Sequence, residues 1–126
     1  MFSKYIGTPY DLFNINGVNC WSLVALVYRD LFGNQLVDYS AEENSFQSIS
    51  AAFTAAFAEG EHGFIQIDEP EDLCVIVMKH SKLQHCGIWF QGKVLHATSA
   101  ARQVILQDEK DAVRQFKSVE YWQKVS

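Results

Sequence analysis

No run among the 126 residues approaches the roughly eighteen apolar positions that a helix needs to cross a bilayer, which argues against membrane insertion. No stretch gathers lysine and arginine into a patch either. With 15 acidic residues against 10 basic and a net charge of −5, neither nucleic acid nor an anionic lipid surface is an expected partner. The opening Met1-Phe2-Ser3-Lys4-Tyr5-Ile6 has neither the apolar run nor the small-residue cleavage site of a leader. The expectation is a chain made and folded in a cytoplasm and carried elsewhere only by something else. Cysteine is scarce, with Cys20, Cys74 and Cys86 an odd set without an export signal or a CxxC pair, so a disulfide framework is not expected. The histidines offer no zinc spacing, because His80, His85 and Cys86 crowd one short stretch without a second half-site. No metal and no cofactor are expected. Repeats, low-complexity tracts and Pro/Gly/Ser linkers are also missing, so residues 1–126 are read as one domain.

What is present is an ordinary globular balance, 48% hydrophobic and 20% charged, sufficient for one core. Leu23, Val24, Val27, Tyr28 and Leu31 fall on one face of a helix over residues 20–32, with Asn19 at the cap and Gly33 at the stop. A second helix is expected from Ser40, where Ser40 and Glu43 form a capping box, through Phe46, Ile49, Phe53, Ala56 and Phe57 to Gly60. Strands are expected at 64–67, 73–78, 85–90, 93–97 and 103–106, with a helical turn near 108–111 and a closing strand at 119–122. Helices followed by a meander of strands make an α+β arrangement.

Cys20 would occupy the first turn of the first helix. Free N–H groups and the macrodipole there favour a negative charge, and a cysteine is nucleophilic as its thiolate. A buried cysteine opening a core helix is the plain alternative. Cys74, in an apolar strand, reads as a small hydrophobe whose burial raises its pKa. Cys86 adjoins His85 on a strand and so faces the opposite side of the sheet.

Gln91-Gly92 between two apolar runs suggests a two-residue hairpin, which would pair Phe90 with Lys93, Gly87 with His96 and His85 with Thr98. His85 and His96 then share a face as diagonal neighbours, while Cys86, Ile88, Phe90, Leu95 and Ala97 line the other. A three-residue loop would instead separate the histidines. In the two-residue register, His85 suits a base for the Cys20 thiol and His96 a group that holds its ring. His62 and His80 read as solvated loop residues.

These residues fall into an order that resembles the NlpC/P60 peptidoglycan endopeptidases, most closely the short members associated with bacteriophage tails. The resemblance is carried by Tyr5-Ile6-Gly7-Thr8-Pro9-Tyr10, by Asn19-Cys20-Trp21-Ser22-Leu23-Val24, and by Pro70-Glu71-Asp72-Leu73. It continues through His85-Cys86-Gly87-Ile88, Leu95-His96-Ala97 and Tyr121-Trp122-Gln123, spanning nearly the whole chain. Three positions depart from the usual pattern: Asn19 stands for an aspartate, and Ser22 and Glu71 each stand for a glycine.

The resemblance implies a papain-like α+β fold, with N-terminal helices on a central antiparallel sheet of about five or six strands. It implies a cysteine peptidase that hydrolyses a peptidoglycan stem peptide through a thioester, typically between D-glutamate and a diamino acid. Cys20, His85 and His96 would be catalytic, and Tyr10 would reach toward substrate or oxyanion. The implied location is a virion tail, among other phage tail-tip proteins, acting at the cell wall. The alternative is a structural tail-tip or assembly protein that keeps the fold with little or no catalysis. A related thiol amidase of the CHAP type is a third possibility.

Overall fold

Asn19 and Gly33 bracket the first helix as their chemistry requires. In the computed structural model, which describes residues 2–13, 15–36, 57, 63–81 and 83–125, helix α1 runs Cys20–Phe32. The Asn19 side chain accepts from the Ser22 N–H at 2.8 Å while Ser22 Oγ accepts from the Asn19 N–H at 2.8 Å, a reciprocal capping box. Gly33 ends the helix in the left-handed region (φ 72°), with its N–H on the Arg29 carbonyl. The buried stripe holds through Trp21, Leu23, Val24, Val27 and Tyr28, whereas Leu31 and Phe32 are exposed. Ser22 is therefore part of the helix start rather than a mere loss of glycine.

The helix expected over 40–60 lies outside the described residues except for Phe57. That ring is 3% exposed and packs edge-on against Trp21 and Phe64 and face-on against Trp122.

The remainder is an antiparallel sheet of six strands: β1 Phe64–Ile67, β2 Val75–His80, β3 Leu83–Phe90, β4 Lys93–Thr98, β5 Gln103–Asp108 and β6 Ser118–Lys124. Their spatial order is β1-β6-β2-β3-β4-β5, so the closing strand threads between β1 and β2. A four-residue helix, α2 (Glu109–Ala112), stands where a helical turn was expected. The architecture is α+β, as expected, with α1 packed on β3 and β4.

β2 begins at Val75, two residues later than its apolar run suggests. Leu73 sits at φ 72°, outside strand geometry, held there by its N–H on the Trp89 carbonyl (2.8 Å) and its carbonyl on the Tyr28 hydroxyl. The Gln91-Gly92 hairpin is as expected: both residues have positive φ, 50° and 81°, the signature of a type I′ turn. Asp72 accepts from the Gln91 N–H and ties this turn to the start of β2.

Side chains alternate cleanly across the sheet. Val75, Val77, Cys86, Ile88, Leu95 and Ala97 meet α1, while Ile76, Met78, Trp89 and Val94 pack with Ala112, Val113 and Phe116 on the other face. Full burial of such side chains contributes about 1.5–3 kcal/mol each.

Candidate active site

The N-terminal segment is zipped to the start of β5 through Gly7 N–H to the Val104 carbonyl and Tyr10 N–H to the Arg102 carbonyl. Gly17 lets Pro9 pass, since a Cβ there would lie 2.0 Å from the Pro9 carbonyl oxygen. Asp11 accepts from the N–H groups of Phe13, Ile15 and Asn16, which closes the loop after Tyr10. Tyr10 is thereby delivered to a cleft of about 860 Å³ whose wall also includes His85, His96, Thr98, Gln107 and Phe116. Burial, then the neighbouring Cys20 charge, raises the Tyr10 phenol.

Cys20 opens α1 beneath the Asn19 cap. The Cys86 thiol, the His85 imidazole and the Cys86 backbone N–H hold its thiol well below the ordinary range, against the opposing pull of burial. Cys86 itself is pushed well above that range, first by burial and then by Cys20. Of the two sulfurs, the one at the helix N-terminus and beside His85 is the more acidic, and the other is placed to donate to it.

Cys86 therefore does not lie away from the nucleophile, as strand alternation alone suggested. The alternation holds, with Cys86 in the core under α1 and His85 stacked on Phe116 at 6.0 Å, but Cys20 meets β3 at its backbone and touches both neighbours.

His85 heads a line of three side chains. His85 Nε2 lies 2.8 Å from His96 Nδ1, and His96 Nε2 lies 3.0 Å from Gln107 Oε1. His85 Nδ1 is thus the nitrogen left for Cys20. The two histidines share a face, as expected, although the β3–β4 ladder runs only from Phe90↔Lys93 to Ile88↔Leu95. The expected pairs Gly87 with His96 and His85 with Thr98 are not part of it. A Cβ on Gly87 would lie 2.7 Å from the Leu95 carbonyl oxygen and 3.0 Å from His96 Cβ. Only glycine lets β3 come so close to His96. Burial, then the His85 charge, lowers His96 to about 4, so it is neutral at ordinary pH.

The structure thus brings Cys20, His85, His96 and Tyr10 together. Cys74 is separate: it precedes β2, is 2% exposed, and burial pushes it up to about 11. His80 is the exposed last residue of β2 at the wall of the cleft rather than a loop residue. His62 lies outside the described residues. Among the described residues no group of three His, Cys, Asp or Glu side chains is placed to hold a metal.

Sequence reasoning missed Cys86, Gln107 and Phe116. Gln107 had a signal: His96 pairs with Ile105, so Gln107 is its diagonal neighbour on the same face. Ending β5 at Leu106 concealed it.

No family model matches the chain, and no curated protein matches it in sequence. Among solved structures, the NlpC/p60 domain of the peptidoglycan hydrolase SagA is similar over 94% of this chain and 90% of that one, with a TM-score of 0.61 and 17% identity. The chain has the fold of that domain.

Proposed function

We propose that the chain is a cysteine hydrolase that cuts peptidoglycan stem peptides. The observation that carries this reading is the line Cys20–His85–His96 at a helix N-terminus, on the fold of a peptidoglycan hydrolase domain. His85 takes the Cys20 proton, and the thiolate attacks the scissile carbonyl carbon. The C–S bond forms, the C–N bond breaks, and the leaving amine takes the proton from His85. Water then gives a proton to His85 and attacks the thioester, releasing a carboxylate and restoring the thiol pair. Tyr10, on the wall of the same cleft as His85, is the side chain this reading assigns to the bound peptide or its oxyanion.

The segment Asn19-Cys20-Trp21 resembles the tail-associated members, which supports a place in a phage tail acting at the cell wall, beside other tail-tip proteins.

One observation favours a second reading. Cys20 is 1% exposed and is not part of the cleft wall, as suits a tail component that keeps the fold without turnover. Digestion of purified peptidoglycan separates the two. Release of new amino termini by the wild type and not by Cys20→Ala is the expected result, and the residue bearing the new amine identifies the bond. No release from folded wild type, with Cys20→Ala particles still infectious, would hand the protein to the structural reading.

A further inference from the structure

Two imidazoles in series pose a problem that a single histidine does not. A neutral imidazole carries one proton on either nitrogen, and its neighbour's hydrogen bond decides which. When His85 holds the Cys20 proton, it is an imidazolium with hydrogens on both nitrogens. Its Nε2–H must then donate to His96 Nδ1, 2.8 Å away, so that nitrogen must be bare. The neutral His96 must therefore carry its proton on Nε2, and that proton needs an acceptor in a buried place. His96 is 5% exposed, and Gln107 Oε1 stands 3.0 Å from its Nε2.

We propose that Gln107 is a positioning residue of this site, whose amide oxygen fixes His96 as its Nε2–H tautomer and so keeps His96 Nδ1 open to the proton on His85 Nε2. The inference rests on the proposed Cys20–His85 chemistry and extends it by one shell. With Gln107 presenting oxygen, every hydrogen bond points one way: His85 Nε2–H to His96 Nδ1, and His96 Nε2–H to Gln107. His85 Nδ1 then carries no hydrogen of its own and accepts the thiol proton. The reverse order, with His96 Nδ1–H donating to His85 Nε2, would force the proton of neutral His85 onto Nδ1, where it blocks Cys20.

The choice of an amide matters. A carboxylate at 107 would also accept, but its charge would draw a proton onto His96 and set up a second imidazolium against His85. Among the described residues, the other titratable groups facing the line are Tyr10, His80 and Asp111 at the cleft wall, and Cys20 with Cys86 beside it. The Asp111 carboxylate is held by Arg114 at 2.6 Å. Gln107 reaches the site from β5, a strand that carries none of the other site residues.

The test reads tautomers first and reactivity second. Long-range proton–nitrogen NMR on histidine-labelled protein should show wild-type His96 neutral, with hydrogen on Nε2. In Gln107→Leu that preference should collapse, and the pH profile of Cys20 alkylation by iodoacetamide should move up by about one unit, a tenfold slower rate at any pH below the wild-type midpoint. Gln107→Glu should restore the Nε2–H form and most of the reactivity, while His96 begins to titrate nearer its ordinary range.

An unchanged His96 tautomer in folded Gln107→Leu would overturn the proposal. Equal loss in the Leu and Glu variants with the tautomer intact would also overturn it, leaving only a packing role. A wild-type Cys20 that titrates as an ordinary thiol sinks the cysteine-hydrolase reading instead, while the His96 spectrum still judges Gln107 by itself.

Discussion

Cys20 and Cys74 are both buried, 1% and 2% exposed, yet the fold drives them in opposite directions. Cys74 stands just before β2, with Glu71, Glu109 and Asp72 near it, and is pushed up to about 11, with burial as the main cause. Cys20 is buried as deeply but meets a thiol, an imidazole and a backbone N–H, and its thiol is held well below the ordinary range. Burial alone silences a cysteine. Burial with donors aimed at the sulfur activates it, because the donors act in a medium that screens them little.

The comparison breaks most completely at His85. In His85→Ala, Cys20 should lose its chief basic partner and drift toward the free-thiol value near 8.5, where only about one thiol in three hundred is ionised at pH 6. Site-resolved alkylation against pH checks this, with Cys74 as the internal reference. A Cys20 profile unmoved by the loss of His85 would leave the helix N-terminus and Cys86 as the whole cause.

The polar line behind Cys20 has its own signature in stability. The folded-state pKa of His96 is lowered from 6.5 to about 4. Between those values the unfolded chain binds a proton that the folded chain refuses, so stability falls as pH drops. His96 therefore contributes stability that is present in full above about 6.5 and is lost by about 4. The loss amounts to about 3 kcal/mol at 1.36 kcal/mol per unit. Chemical denaturation at pH 7 and pH 4 measures it, and His96→Phe should remove this part of the slope. Cys74 works on the alkaline side: its folded pKa is raised, so its contribution is lost as pH rises from about 9 toward 11.

Cys86 tests the comparison more gently. Replacement by valine keeps the volume near β3 but removes one donor to the Cys20 thiolate. A hydrogen bond to a charged group contributes about 1.5–3 kcal/mol, so the pH profile of Cys20 alkylation should move up by about one to two units. If Cys86→Val leaves the profile in place, the backbone N–H and His85 carry the thiolate without it.

These residues also mark where sequence reading stops. The helix boundaries were legible because Asn19 and Gly33 are chemically suited to caps, and the hairpin because Gln91-Gly92 can take positive φ twice. Once the hairpin was fixed, period-two alternation put His85 and His96 on one face. Leu73 was misread as strand because its left-handed conformation is imposed by Tyr28 and Trp89, both distant in sequence. Cys86 was dismissed because alternation says which face a side chain takes but not where a helix end docks against the strand. Phe116 came from beyond α2, on a turn whose course no local pattern announces.

The smallest expected effects lie at the cap. Asn19 does two things that an aspartate, usual in the resembled family, cannot do together: its oxygen accepts from Ser22 N–H, and its nitrogen donates to the Leu12 carbonyl at 3.1 Å. Asn19→Ala removes both and should cost about 1 kcal/mol in chemical denaturation. Asn19→Asp keeps the acceptor but sets a carboxylate one residue from the Cys20 thiolate. Its stability should stay closer to wild type, while the Cys20 pKa rises by a few tenths of a unit from the added like charge. The two variants thus separate helix capping from charge at the nucleophile. A Cys20 profile that shifts with Ala but not with Asp would mean that order in the first turn, rather than its neutrality, sets Cys20 apart from Cys74.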